Sequence, residues 1–367
     1  MNVRDLDKKR ILIISTVGLR PDGITSVIMS YFEAMDKSGM EIYVAGTITV
    51  QQSIRAKLEV MGCQVVDLPN RQTETWKYFL ELQRFIHRHQ IEVVHAHGNS
   101  GTLAVEMVAA WAGGCRKRIA HSHNTKSDHA RADRLLRPVF HLFYTDALAC
   151  GRDAGTWLFG RRACTVLKNG RDICTYGYNE KVRKEIRLEY GLTDQLAIGH
   201  VGGFVSQKNH EFAVAVYGEI LKIRPDAKLF FVGDGPLRKD VETACGDLGD
   251  SIVFTGCMDC VSGFLQAMDG MILPSRFEGF PLVAVEWQIN GLPGILSSNI
   301  TEECVLTEFT KQLSLKCAAS EWAEMLVSMV ENRNRKEDAL TGTENICKAG
   351  YNIADNAKVL RQIYLEE

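Results

Sequence analysis

Short apolar runs alternate with longer amphipathic stretches along almost the whole of this 367-residue chain. Residues 11–16, 42–45, 65–68, 93–97, 119–123 and 147–150 read as strands. So do residues 198–202, 229–233, 252–255, 271–274 and 295–297. Between them, stretches such as 25–38, 54–61, 76–89, 102–112, 211–223 and 237–245 space their apolar residues as helices do. This alternation predicts an α/β protein whose parallel sheets are covered on both faces. The chain is too long for one typical core, so two Rossmann-like domains are expected. The boundary is placed near residues 170–178, where Asn169-Gly170 offers a turn. Ligands of such sheets bind beyond the C-terminal ends of the strands.

The stretch Glu278-Gly279-Phe280-Pro281-Leu282-Val283-Ala284-Val285-Glu286 follows the apolar run 270–275. The run reads as a buried strand, residues 276–280 as a loop, and Pro281 as the first helical position, where its missing N–H costs nothing. The amides of Leu282, Val283 and Ala284 then point out of the helix start and form a positive pole suited to phosphate. Glu278 falls in the loop and Glu286 in the second helical turn. The two acids therefore reach different parts of one bound molecule.

Bulk properties remove several classes. No run of about 18 apolar residues exists, so a spanning helix is not expected. The charged opening residues 1–10 have no apolar centre and do not read as a secretory signal. Eleven cysteines in no regular framework suit free thiols in a reducing cytoplasm. The single C-x-x-C, Cys257 to Cys260, cannot fill a four-ligand metal site alone. No G-x-G-x-x-G follows the first strand, which disfavours a dinucleotide.

Net charge is −2, but residues 1–171 carry 24 Lys and Arg against 16 Asp and Glu, and the remainder carries 19 against 29. A first half at +8 suits an anionic surface or substrate, or is simply a solvated face. Arg116, Lys117, Arg118, Lys126, Arg131, Arg134 and Arg137 form a broken basic belt. Few aromatic residues interleave it, so no nucleic-acid partner is expected. A membrane surface or a lipid-pyrophosphate fits better, with solvated charge as the alternative. Two H-x-H pairs, His95/His97 and His121/His123, end neighbouring strands, and alternation puts each pair on one face. Four imidazoles could converge on zinc. Without an acidic or cysteine ligand at matching spacing, polar packing at the rim of a cleft is the plainer reading.

Several segments together resemble the retaining family 4 glycosyltransferases of the GT-B fold. The nonapeptide is similar to their E-x7-E motif. Val201-Gly202-Gly203-Phe204-Val205-Ser206-Gln207-Lys208-Asn209-His210 is similar to their phosphate loop, Phe231-Val232-Gly233-Asp234-Gly235-Pro236 to the next strand and turn, and Val253-Phe254-Thr255-Gly256 to the strand end facing the base. Val166-Leu167-Lys168-Asn169-Gly170-Arg171-Asp172 resembles their interdomain PNG-[IV]-D segment. The order of these pieces fits nearly the whole chain.

The resemblance implies two domains facing across a cleft: an acceptor domain over 1–171, with residues 351–367 packing back on it, and a donor domain over 172–350. It implies sugar transfer from a nucleotide-diphosphate donor, UDP above all, with retention. Lys208 and the amides after Pro281, on Leu282 and Val283, would hold the diphosphate. Glu286 would hold the ribose. Glu278, with Gly279 and Phe280, would hold the transferred sugar. Gly256 would face the base, and Gly23 matches the family's first glycine turn. His123 matches the histidine beside the reacting sugar, with His97, His121 and Asn124 on the acceptor side. Gly203 stands where the family commonly has arginine, which leaves Lys208 and the helix amides more of the phosphate charge.

No D-x-D motif stands at a strand end, so metal-independent transfer is expected, with no cofactor. The acceptor is expected to be a glycan or a lipid-pyrophosphate of surface polysaccharide synthesis. The enzyme would work in the cytoplasm, peripherally at the inner face of an anionic membrane. A non-hydrolysing nucleotide-sugar 2-epimerase and a silent nucleotide-sugar binding protein are the alternatives.

Overall fold

A computed structural model of the chain describes residues 8–20, 22–124, 130–258 and 261–366. Lys126 of the basic belt, Asp259 and Cys260 of the C-x-x-C pair, and the opening residues 1–7 lie outside these. The chain divides into two compact units, Met1–Gly170 with Ile353–Glu367, and Arg171–Asn352.

The first unit holds seven strands: β1 (Lys9–Ser15), β2 (Met40–Gly46), β3 (Gln64–Asp67), β4 (Val93–Gly98), β5 (Lys117–Ser122), β6 (Asp146–Ala149) and β7 (Thr165–Val166). Their order is β3-β2-β1-β4-β5-β6-β7. The second unit holds β8 (Ala197–Val201), β9 (Lys228–Val232), β10 (Ile252–Gly256), β11 (Gly270–Leu273), β12 (Gly294–Ser297) and β13 (Thr310–Leu313), ordered β10-β9-β8-β11-β12-β13. Pairing is parallel in both sheets. Each sheet therefore winds outward in two directions from its first strand, the doubly wound arrangement of Rossmann folds. It places a crevice where the winding reverses. In the first unit that point lies between β1 and β4, and in the second between β8 and β11.

The central strands are apolar throughout because helices cover both faces. Residues 11–14 of β1 and 271–273 of β11 are buried. The last helix, Ile353–Leu365, belongs to the first unit, where Ala357, Leu360 and Tyr364 are buried. No helix among the described residues is long and apolar enough to cross a membrane. The ten described cysteines are unpaired.

Some sequence expectations shift. Pro281 is not the first helical residue. With ψ at 112° it is the N-cap of the helix Leu282–Ile289. The Ala284 amide is not free either, because it donates to the Pro281 carbonyl at 3.1 Å. The first helix is Gly23–Ala34 rather than 25–38, because Met35 turns extended at ψ 132°. β5 ends at Ser122, one residue before His123.

The helix Leu282–Ile289 is fixed from behind by the helix Arg335–Lys348. Contact is so close at Gly342 that a Cβ there would run into the Gln288 carbonyl oxygen. Replacing Gly342 by Ala is expected to destabilise the second unit by about 1–3 kcal/mol through overpacking, read as a lower urea midpoint. An unchanged midpoint would contradict the close packing of these two helices.

Candidate functional site

In the second unit, the loops that follow β8, β9 and β10 are laced together by backbone hydrogen bonds. Gly202 N donates to Val232 O at 2.9 Å, Phe204 N to Asp234 O at 3.0 Å, and Gly233 N to Gly256 O at 2.9 Å. The approach at Gly233 is too close for any side chain, and its φ of +139° is one that L residues rarely adopt. The loop after β8 is also tied across the switch point to the loop after β11. Arg276 N donates to Gln207 O at 2.8 Å, Gln207 Nε2 to Phe277 O at 2.9 Å, and Asn209 Nδ2 to Pro274 O at 3.2 Å.

This lacing brings Lys208 and Glu278 together. Lys208 Nζ lies 2.5 Å from Glu278 Oε1, which also accepts from Ser275 Oγ at 2.7 Å. Both charged side chains are mostly buried, at 17% and 10% exposure. The lysine stem lies so close over Gly202 that a Cβ there would be 2.9 Å from it. Beside the pair opens the helix Leu282–Ile289. Among the described residues, the Leu282 and Val283 amides have no hydrogen-bond partner. The two free amides at the helix start carry partial positive charge, while the Lys208 ammonium is neutralised by Glu278. Gly279 is exposed there, and Phe280 is stacked on Tyr351 with ring centres 4.8 Å apart.

Glu286 is buried and accepts from Arg171 Nε at 2.7 Å. Arg171 stands where the interdomain pattern carries isoleucine or valine. Gly203 is exposed and close to no atom but Asp234 O, 3.4 Å from a would-be Cβ. Steric crowding therefore does not require a glycine there, and an arginine would fit.

In the first unit, β4 and β5 pair with His97 opposite His121. His95, His97, His121 and His123 consequently share one face. His97 Nδ1 lies 2.8 Å from His123 Nε2, His95 Nε2 lies 3.1 Å from His121 Nδ1, and His95 Nδ1 lies 2.7 Å from the Tyr364 hydroxyl. The rings stand nearly parallel, at 7° for His95 and His121 and 20° for His97 and His123. Nitrogens of His95, His97 and His121 lie within 4.8 Å of one another. Parallel rings, however, set their lone pairs side by side rather than at one point. Several of the nitrogens are also hydrogen-bonded to one another, so the set suits tetrahedral zinc poorly.

Burial pushes His95, His97 and His121 well below the ordinary imidazole range, and repulsion between neighbouring imidazoles adds to it. Burial takes His123 to about 3. All four are neutral at pH 7. His123 Nδ1 and His121 Nε2 are buried and, among the described residues, have no hydrogen-bond partner. His123 N donates to Asn99 Oδ1 at 3.0 Å, which fixes the backbone where β5 ends. Asn124 is exposed beside it. Gly23 opens the first helix behind the Asp22 cap and has nothing within 4 Å of a would-be Cβ, so no close approach requires a glycine.

The structure thus gathers Lys208, Gly203, Gly256, Glu278, Gly279, Phe280, Pro281, Leu282, Val283 and Glu286 along the C-terminal edge of one sheet. It gathers His97, His121, His123 and Asn124 at that edge of the other. Sequence reasoning did not single out Ser275, Arg171, Asn99 or Tyr364. Arg171 lies inside the quoted interdomain segment, Asn99 lies two residues beyond His97, and Tyr364 gives no local signal.

Residues 195–332 match the family model for glycosyl transferases group 1. This segment is a group 1 glycosyltransferase domain. Over 97% of its length and 96% of the relative's, the whole chain is 28% identical to the putative glycosyltransferase EpsF of Bacillus subtilis (strain 168). A UDP-Gal:alpha-D-GlcNAc-diphosphoundecaprenol alpha-1,3-galactosyltransferase of Escherichia coli is 23% identical over 96% of both chains. The structure of Anabaena HepE in complex with UDP superposes with a TM-score of 0.79 at 17% identity, over 96% of this chain and 99% of that one. The fold is GT-B.

The neutral histidines give a pH dependence of definite sign. Their folded pKa values are depressed, so the unfolded chain binds more protons below about pH 6.5. Their contribution is complete above that pH and is lost as pH falls toward the folded values. His200 and His210 of the second unit are depressed in the same way, mainly by burial. Thermal melts taken from about pH 7.5 down to about pH 5 should show falling stability, by up to about 2 kcal/mol for each such histidine. A flat profile over that range would contradict their burial as neutral groups.

Proposed function

We propose that the chain is a retaining, metal-independent glycosyltransferase. It moves a hexose or N-acetylhexosamine from a UDP-sugar to a hydroxyl of a glycan or lipid-linked acceptor in surface polysaccharide assembly. The observation that carries this reading is the Lys208–Glu278 pair at the switch point, beside the free amides of Leu282 and Val283. Such a cluster suits a doubly charged leaving group next to a hydroxyl-rich sugar. The UDP and UDP-glucose complexes of HepE, on the same fold, support a nucleotide-sugar donor. The diphosphoundecaprenol acceptor of the Escherichia coli relative and the similarity to EpsF support polysaccharide assembly.

In this reading the diphosphate draws Lys208 away from Glu278, and the lysine and helix amides hold the leaving charge. Glu278, so released, accepts hydrogen bonds from the sugar hydroxyls. Glu286 remains on Arg171 through one oxygen and takes the ribose with the other. It is therefore not free to act as a second catalytic carboxylate, and double displacement is disfavoured. The acceptor oxygen bonds to the anomeric carbon on the face that the UDP oxygen leaves. The acceptor proton passes to that phosphate oxygen, and the products are the glycoside and UDP. His123 offers its unpartnered Nδ1 to the sugar while His97 holds its other nitrogen.

The test is a panel of UDP-sugars and acceptors assayed in strong chelator, with the anomeric configuration of the product read by NMR. The expected product retains the donor configuration. Lys208→Met should lower kcat/KM by about a hundredfold, the scale of a lost charged hydrogen bond. Epimerised nucleotide sugar without UDP release would identify the isomerase instead. Gly203, lacking the family arginine, favours one other outcome, UDP-sugar binding without turnover. Full activity of Lys208→Met would contradict the assignment of that residue.

A further inference from the structure

One side of the first unit carries an apolar surface that glycosyl transfer does not use. Three neighbouring helices, Thr75–Arg88, Ala104–Ala112 and Ala130–Phe143, form it. The middle helix presents Val105, Val108 and Trp111 outward. Its one charged residue, Glu106, points inward, fully buried on Arg71 Nε at 2.5 Å and the Tyr78 hydroxyl at 3.0 Å. A helix with no charge on its outer face is unusual for a surface in contact with water. Between the three helices lies a hollow of about 360 Å³ lined by Trp76, Phe79, Val105, Val108, Leu136 and Val139.

The surrounding residues are also apolar and well exposed. Trp76 is 71% exposed, Trp111 57%, Leu135 77% and Leu142 77%. The last two lie on the outward stripe of the helix Ala130–Phe143 with Arg131, Arg134, Pro138 and Val139, at helical spacing. A second hollow on the flank of that helix is lined by Arg134, Arg137 and Arg162, with Arg137 held by Asp133 at 2.8 Å. Arg116 follows the middle helix just beyond Trp111. The exposed acids Glu74 and Glu81 of the surface are each paired with a base of their own helix, Lys77 and Arg84.

We infer that this three-helix face docks the protein onto the surface of an anionic lipid bilayer. Trp76, Trp111, Leu135 and Leu142 enter the interface, and Arg131, Arg134 and Arg116 meet the headgroups. Apolar side chains beside arginines, with amphipathic indoles at the margin, have the composition of interfacial helices. Among the described residues neither indole N–H has a protein acceptor, and lipid headgroups would supply one. The charge of the first unit agrees, since residues 1–170 and 353–367 carry 25 Lys and Arg against 19 Asp and Glu, a net +6. In a doubly wound sheet the helices run back against the strands. Arg131, Arg134 and Trp76 therefore lie toward the strand ends that carry His97 and His123. The inference rests on this surface alone and does not require the donor assignment.

Co-sedimentation of the full chain with vesicles tests it, using phosphatidylcholine alone and phosphatidylcholine mixed with phosphatidylglycerol. The wild type should bind the mixed vesicles and lose binding as salt is raised. Arg131→Glu with Arg134→Glu should weaken binding by about thirtyfold or more, from roughly fivefold for each charge. Leu135→Ser with Leu142→Ser should abolish it. Both pairs of residues are exposed, so thermal melts and UDP binding should match the wild type. That match separates loss of docking from unfolding and from failure of the donor site. Absence of vesicle binding by the wild type, or unchanged binding by both variants, would overturn the inference. So would a wild-type dimer in light scattering that Leu135→Ser with Leu142→Ser dissolves while vesicles are never bound, since the face would then join two copies of the chain.

Discussion

One ion pair ties the two sides of the second unit's switch point together. Lys208 follows β8, Glu278 follows β11, and 70 residues of chain separate them. They meet because β8 and β11 are neighbours in a sheet that winds outward in both directions from that point. Two loops emerging there cannot be bridged by a helix, so they face each other over an open crevice. The cation of one loop then finds the carboxylate of the other. A mostly buried ammonium needs such a partner when no other anion is present. A diphosphate is a stronger partner than a single carboxylate and would have the two helix amides to add to the lysine. In the proposed reading the pair holds both side chains in place until the donor binds, and the diphosphate then frees the carboxylate.

The first unit solves a different problem at its own switch point. Three imidazoles on two adjacent strands, and a fourth one residue beyond, stand where doubly wound sheets are otherwise apolar. They remain there by being neutral, hydrogen-bonded to one another and, through His95, to Tyr364 of the last helix. This arrangement holds His123 by its Nε2 and its backbone N–H and, among the described residues, leaves Nδ1 without a partner. A residue so fixed can donate or accept at one defined place, but it is not a reservoir of positive charge at neutral pH.

Most of the fold was legible because the signals were local. Central strands such as 271–274 are short, apolar and bounded by turn residues, and the alternation with helices follows from covering both faces. β13 was not legible, since Thr310-Lys311-Gln312-Leu313 is an edge strand with one solvated side and no apolar run. β7 has two residues and no pattern at all. The helix start at Pro281 was misplaced by one residue because proline suits both the N-cap and the first helical position. Motif spacing pointed to Lys208, Glu278 and Glu286, but it could not show that Lys208 and Glu278 pair or that Arg171 holds Glu286. Those contacts depend on side chains brought together from distant segments, and no local periodicity encodes them.

A structure of the chain crystallised with UDP tests the central claim most directly. The expected result is the β-phosphate against the amides of Leu282 and Val283, with Lys208 Nζ turned from Glu278 to a phosphate oxygen. UDP bound elsewhere, or bound with the Lys208–Glu278 pair intact and the helix start untouched, would contradict it.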